Sequence, residues 1–387
     1  MKKAYLDNGA TTQVAKEVAK AMQIIFTKKF GNPSSLHNFG EVASKELEKA
    51  REVIANKINA QPHEIVFTSG GTEADNIAIK GIAHMNRDKG DHIITSAIEH
   101  PAVLSTCETL EKEGFKVTYL SVDKEGFIDL KKLEDAITPK TILVTVMHAN
   151  NEIGTIEDIK AVGRICKEKN IYFHSDAVQS FTKVPIDVKQ MNIDLLSLSA
   201  HKIHGPKGIG ALFIKKGIKM KPLFDGGSQE NKRRSGTENM PGIIGFGKAV
   251  EISEAEHVKK MEKLRDRLIG EIEKIPDVIL NGPRNKRLAN NVNVVFKYVE
   301  GESLLYQLDA KGIAVSTGSA CSSQSLSPSH VLIAIGLKPE VAHGSIRFTL
   351  SRYTTEEEID YTIRNVKEIV ENLRKISPLA KKRGIGK

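Results

Sequence analysis

Tryptophan is absent from this 387-residue chain, and Phe and Tyr together make up only 5% of it. The few aromatics are not interleaved with basic clusters, so the stacking platforms of a dedicated nucleic-acid surface are missing and no direct nucleic-acid partner is expected. Cysteine is nearly as scarce: Cys107, Cys166 and Cys321 have no metal-finger spacing and form no disulfide framework. No apolar run approaches the roughly 20 residues of a membrane span, so no membrane association is expected. Residues 1–7 lack the continuous apolar core that directs secretion, and a cytoplasmic location is the expectation. Internal repeats and sizeable low-complexity tracts are missing as well.

What is present is an ordinary globular composition, 40% hydrophobic and 27% charged, in a chain too long for one average core. Two domains are therefore expected. The net charge of +9 collects in part at residues 381–387, which read as a solvated end, although a basic face also suits an acidic protein partner. Cys107 follows Val103 and Leu104 and precedes Leu110, while Cys166 sits among Ile159, Val162 and Ile165. Both continue the apolar stripe of a helix and read as core residues. Cys321 differs. From Ser316 to Ser329 its neighbours are small and polar without periodicity, the setting of an exposed loop thiol and candidate nucleophile, or of an incidental surface cysteine.

From about residue 40 to 215, helical and strand patterns alternate. Strands are predicted over 64–67, 92–95, 116–120, 141–147, 171–174, 195–198 and 211–214, with helices over 41–58, 73–86, 102–113, 130–136 and 156–169. Strands rich in Ile, Val and Leu separated by helices imply an α/β fold with a mainly parallel sheet covered on both faces. Residues 226–247 read as a Gly-rich loop and 252–275 as a long polar helix leading into a second domain. That domain is expected to hold strands near 292–296 and 313–316 and a closing helix to 376, capped by Thr354 or Thr355 with Glu356 to Glu358 in its first turn.

Two segments carry most of the chemistry. His174-Ser-Asp176-Ala-Val-Gln179 closes one apolar run, and 23 residues after Asp176, Ser199-Ala-His201-Lys202 closes another. In α/β proteins ligands bind at the carboxyl ends of strands, and a desolvated lysine acts as an amine nucleophile and forms Schiff bases. Pyridoxal 5'-phosphate (PLP) needs this combination: a lysine for its aldehyde, a carboxylate for its ring nitrogen and hydroxyls for its phosphate. The two segments alone are equally compatible with a structural Asp and a surface Lys. Thr68-Ser-Gly-Gly71-Thr72-Glu joins a strand to a helix N-terminus, where backbone N–H groups form an anion site and Thr72 adds a hydroxyl. It is neither a P-loop nor a dinucleotide fingerprint. Ser199 and His201 add phosphate donors beside Lys202. Arg233-Arg-Ser-Gly-Thr237 adds a hydroxyl and positive charge, which a solvated basic loop explains equally well. His100 emerges at the same sheet edge, placed either to stack on a flat heterocycle and shuttle protons or to serve structure. Asn150-Asn151 brings further polar groups to that edge. Arg347, in a strand-like run, can clamp a substrate carboxylate bidentately.

Jointly these segments resemble one family. Tyr5-Leu-Asp-Asn-Gly-Ala-Thr-Thr12, Phe30-Gly-Asn-Pro-Ser34, Glu99-His100, Asn150-Asn-Glu, Asp176 to Gln179, Ser199 to Gly208, Arg234-Ser-Gly-Thr237, Gly318-Ser-Ala-Cys321 and Ser345-Ile-Arg347 span almost the whole chain. They are similar to the cysteine desulfurases of the NifS/IscS type, within the fold-type I, class V aminotransferase group of PLP enzymes. The resemblance implies a large PLP-binding domain (14–257) with a mainly parallel seven-stranded sheet between helices. It further implies a smaller α+β domain (1–13 and 258–387) carrying a catalytic-cysteine loop at about 316–330. It assigns Lys202 as the covalent anchor of PLP that later moves the Cα proton, Asp176 as partner of the ring nitrogen, and His100 as the stacking acid/base. Gln179 and Asn151 would lie near the cofactor's phenolic oxygen or the substrate. Gly71, Thr72, Ser199 and His201 would hold the phosphate, which Thr237 would reach from the other subunit of a homodimer. Arg347 would take the carboxylate of L-cysteine. Cys321 would attack the substrate sulfur, leaving L-alanine and an enzyme persulfide, and would transiently ligate an iron–sulfur cluster through it. The segment around Cys321 resembles the long-loop subgroup, whose sulfur goes to iron–sulfur scaffold proteins of the IscU/NifU kind or to tRNA thiolation. A selenocysteine lyase-like enzyme and a weakly catalytic partner of a scaffold protein remain as alternatives. Gly9, Gln13, Gly71 and Thr182 depart from the family pattern.

Overall fold

The computed structural model describes residues 3–317, 328–378 and 380. Cys321, the rest of the small polar segment around it and the basic end at 381–387 lie outside the described residues.

Seven short runs build the main sheet: Ile65–Thr68, His92–Ser96, Lys116–Leu120, Thr141–Thr145, Tyr172–Asp176, Leu195–Ser199 and Gly210–Ile214. All but 116–120 and 172–176 are buried along their whole length, which is why they read as continuous apolar runs. Lys116–Leu120 lies at an edge, and only Leu120 of its five residues is buried. In space the order is 65–68, 210–214, 195–199, 172–176, 141–145, 92–96, 116–120. Every pairing among the last five is parallel, and Gly210–Ile214 runs antiparallel to both its neighbours. The mainly parallel sheet is therefore present with one strand reversed.

Helices cover both faces. Gly71–Met85 and Pro101–Lys112 close one core, with Cys107 inside it, while Asn38–Lys57, Ile159–Glu168 and Met240–Glu251 close the other around Cys166. Burial pushes both thiols up to about 12, so they are inert core residues as expected.

A third core forms where Ala255–Ile272 and Glu356–Ile376 pack on an antiparallel sheet of Ser316–Thr317, Ser345–Thr349, Asn291–Phe296 and Val278–Leu280. Thr355 is the cap: its side chain accepts from the Glu358 N–H while the Glu358 carboxylate takes the Thr355 N–H.

Three expectations need correction. Residues 240–247, the end of the stretch 226–247 read as a Gly-rich loop, belong to a helix, Met240–Glu251. Its glycines serve close packing: a Cβ on Gly245 would sit 2.9 Å from Met22 Cγ, and one on Gly247 3.0 Å from Ala50 Cβ. The polar helix begins only at Ala255, after a break at 252–254. The strand predicted at 313–316 is two: Ile313–Ala314 pairs with Ala4–Tyr5, while Ser316–Thr317 joins the antiparallel sheet. The helix Lys16–Thr27 was missing from the sequence reading.

Candidate active site

The carboxyl ends of the central strands open into a cleft of about 330 Å³, roofed by residues 9–10 and closed on one side by Arg347. The strands contribute either their last residue or one in the turn that follows, which is how an apolar run delivers polar groups to a buried place. Asp176 ends Tyr172–Asp176, Ser199 ends Leu195–Ser199, and His201 and Lys202 follow in a single 3₁₀ turn. His100 caps the helix Pro101–Lys112, accepting the Ala102 N–H on Nδ1 at 3.1 Å. The structure therefore brings Lys202, Asp176, His100, Gly71, Thr72, Asn151, Gln179, Ser199, His201 and Arg347 around one cleft.

Lys202 Nζ donates to the Gly9 and Ala10 carbonyls at 2.6 and 2.8 Å. Gln179 Nε2 reaches the same Gly9 carbonyl at 3.1 Å, so residues 9–10 present backbone acceptors over the lysine. His201 Nδ1 meets Thr11 Oγ1 at 3.2 Å. Burial and the nearby Lys202 ammonium draw the His100 and His201 imidazoles down to about 4, so both are neutral at pH 7. Since His100 Nδ1 is an acceptor, its proton sits on Nε2.

The floor is acidic. Asp176 is buried and its carboxyl is pushed up to about 6, against the opposing pull of the Val178 N–H at 2.8 Å and of Lys202. Asp75 and Glu99 lie beneath it, both raised by burial and by the Asp176 charge, Glu99 to about 8. Glu99 Oε1 takes the Ser96 hydroxyl and the Met147 N–H at 2.5 and 3.0 Å. Sequence reasoning passed over Asp75, whose signal was its place one turn into the helix that Thr72 opens. It also gave no role to Asp7, which holds Arg347 Nη2 at 3.2 Å.

The residues fit the cofactor that the resemblance implies. Among the described residues, Ser199 Oγ and Arg347 Nε, on two residues that line the cleft, are buried and lack a hydrogen-bond partner, and a polar group bound there would satisfy them. Gly71 keeps that space open, because a Cβ there would stand 2.6 Å from Val178 Cγ2. An acid for a ring nitrogen, hydroxyls and a helix N-terminus for a phosphate, and a lysine for an aldehyde surround one cavity. Among the described residues no group of three His, Cys, Asp or Glu side chains is placed to hold a metal ion.

Thr237 stands apart. It is exposed and lines a separate groove with Phe26, Phe30, Gly31 and Asn32. Its loop is nailed down by Glu230, whose carboxylate takes Arg51 Nη1 and Nη2 at 2.8 and 3.0 Å and the Phe67 N–H at 3.0 Å. The left-handed backbone of Glu230, Asn231 and Lys232 (φ 46°, 55° and 61°) turns that side chain inward. Cys321, named as nucleophile and transient cluster ligand, lies outside the described residues.

Comparison with known proteins agrees with this geometry. Residues 4–362 match the family model described as aminotransferase class-V. The chain is 57% identical over 381 residues to a cysteine desulfurase IscS of Dictyoglomus turgidum, covering 97% of both chains. It is 57% identical over 384 residues to one of Methanosarcina thermophila, covering 98% of this chain and 95% of the other. A solved NifS-like protein superposes with a TM-score of 0.91 at 41% identity, covering 96% of this chain and all of the other. By sequence over nearly its whole length and by fold, the chain belongs to the class-V aminotransferase family, among its cysteine desulfurases.

Proposed function

We propose that this chain is a PLP-dependent L-cysteine desulfurase that removes sulfur from L-cysteine as a persulfide on Cys321 and releases L-alanine. The observation that carries this reading is the convergence of Lys202, Asp176, His100 and Arg347 on one cleft in a chain that is 57% identical to cysteine desulfurases. Bound there, PLP supplies an electron sink that acidifies the Cα proton of an amino acid. The Asp176 carboxylate would hold a protonated ring nitrogen, Ser199, His201 and the Gly71–Thr72 turn the phosphate. Lys202, drawn toward the cleft roof by two carbonyls, would carry the cofactor and move the Cα proton. His100 offers its Nε2–H as a neutral donor. Arg347 would fix the substrate carboxylate, orienting the Cα–H bond toward the lysine. The chemistry balances without an outside oxidant: the Cβ–S bond of cysteine breaks, an S–S bond forms to the Cys321 sulfur, and Cβ takes a proton in place of sulfur.

The partition into a domain of residues 14–257 and one of 1–13 with 258–387 is part of this reading, supported by separate cores around the two sheets. A homodimer is supported by the exposed side chains Phe26, Phe30, Leu36 and Phe39, the first two lining one groove with Thr237. On that face a second copy would receive Thr237 into its own cleft. Among the described residues no helix is long and apolar enough to cross a membrane, and we place the enzyme in the cytoplasm with an iron–sulfur scaffold protein as sulfur acceptor.

The test is an assay of alanine and sulfide from L-cysteine with a thiol reductant, on the wild type and Cys321→Ala. Equal yields of alanine and sulfide, both lost in the variant, are expected. Selenium release from selenocysteine that survives Cys321→Ala would instead favour a selenocysteine lyase. A protein inactive after PLP is supplied would leave only a scaffold-binding role.

A further inference from the structure

Arg347 is almost completely buried, its side chain 3% exposed, while Asp7, which holds it, remains 20% exposed. The pair is built from opposite ends of the chain. Asp7 forms a bridge with Thr349, two residues along the strand from Arg347. The Asn8 N–H and side-chain amide both donate to the Thr349 carbonyl, and the Gly9 N–H donates to Thr349 Oγ1. Asp7 is thus held at the guanidinium by its backbone. Its Oδ1 also accepts the Ser316 hydroxyl at 2.6 Å, and among the described residues the other hold on Arg347 is the Asn151 carbonyl, which takes Nη1 at 3.0 Å.

The two partners differ in what separation costs them. A guanidinium this deeply buried is strongly disfavoured without an anion. A carboxylate that keeps contact with water and with a hydroxyl donor tolerates losing its cation. The second acid nearby, Glu152, is buried, accepts the Ser329 hydroxyl and is pushed up to about 7, so it offers Arg347 a weaker counter-charge.

We propose that Asp7 is a positioning residue that competes with an amino-acid carboxylate for Arg347, one ion pair being exchanged for another as substrate enters and again as product leaves. The inference rests on the reading of Arg347 as the carboxylate binder. Its consequence is specific: Asp7 weakens the binding of any α-amino acid and speeds the departure of L-alanine, which carries the same carboxylate as L-cysteine.

The experiment is titration of the PLP-loaded enzyme with L-alanine, followed by absorbance, together with kcat and KM for L-cysteine, in wild type, Asp7→Asn and Arg347→Gln. Asn at position 7 keeps the acceptor for Ser316 and removes only the charge. Asp7→Asn is expected to bind L-alanine about fivefold more tightly, with KM and kcat both lowered, the size of effect a partly exposed ion pair exerts. Weaker L-alanine binding with a raised KM would overturn the proposal and make Asp7 a prop for Arg347; unchanged binding would overturn it as well. If Arg347→Gln leaves L-alanine affinity intact, the carboxylate-site reading itself is wrong, an outcome separate from failure of Asp7. Asp7→Ser, titrated in the same way, decides the matter should Asp7→Asn fail to fold.

Discussion

Beneath the cleft, against the seven-stranded sheet, Asp75, Asp176 and Glu99 are each pushed toward the protonated form by burial, and the Asp176 charge raises the other two further. At the side of the cleft, by the four-stranded sheet, two arginines are buried. Arg347 rests on Asp7 and the Asn151 carbonyl, and behind it Arg287 is held by the carbonyls of Pro283 and Asn281. Burial draws Arg287 down to about 9, yet it remains a cation at pH 7. The two regions show how the same desolvation penalty gives opposite chemistry. Carboxyls can escape it by taking a proton, so an acid cluster becomes a place that stores protons and welcomes a cation. Guanidinium scarcely can, so buried arginine must be surrounded by acceptors and welcomes an anion. A cofactor with a basic nitrogen and a substrate with a carboxylate are thereby oriented across one cleft before any specific contact is counted.

Removing the charge at the centre of the acid floor is the most severe way to break this contrast. Asp176→Asn is expected to lower kcat for L-cysteine by a factor on the order of a hundred to a thousand, measured at saturating substrate. If the rate falls less than tenfold, the floor is only structural.

The proton-storing character of the floor has its own signature in stability. Glu99, and outside the floor the buried Glu157, whose carboxylate takes the Ile128 N–H, are both raised by burial to about 8, well above an unfolded glutamate near 4.5. The folded state therefore binds more protons than the unfolded state between those values, and stability falls as pH rises through that window. Each such group contributes a slope of up to about 1.4 kcal/mol per pH unit. Glu99→Gln, which mimics the protonated acid and keeps the acceptor for Ser96 and Met147, should flatten the curve between roughly pH 5 and 8 in urea unfolding. An unchanged slope would show that Glu99 ionises without penalty.

A smaller effect sharpens the geometry between floor and phosphate turn. In Gly71→Ala the new Cβ would meet Val178 Cγ2 at 2.6 Å, and Val178 carries the N–H that holds Asp176. PLP affinity is expected to fall about tenfold, in line with the cost of overpacking, read from dissociation of the cofactor. Smallest of all, Gly247→Ala would press on Ala50 away from the cleft and should cost about 1 kcal/mol of stability, with kcat and KM unmoved. A change in KM there would mean that the helix crossing and the cleft are coupled.

The sequence was most informative where chemistry sits at the end of a strand. Asp176, Ser199 and Lys202 each follow an apolar run, and period and punctuation place them at the carboxyl edge without any knowledge of packing. His100 was legible in the same way. The Thr355 cap and the buried Cys107 and Cys166 followed from helical spacing. Local signals failed where a residue's role depends on a distant surface. Glycines in 240–251 look like loop residues until the neighbouring helices are seen to press against them. Thr237 likewise carries no local mark of its place, an exposed groove beside Phe26 and Phe30 on a loop anchored by Glu230.

By itself, then, the amino-acid order determined the strands, most of the helices and the polar groups that end them, because backbone periodicity and turn chemistry act over a few residues. The tertiary structure alone decided that the strand 210–214 runs backwards, that Asp75 and Glu99 sit under Asp176, and that Asp7 meets Arg347 across 340 residues. Contacts of that separation are selected by the packing of whole sheets, and the energy of a charge depends on how much water that packing removes.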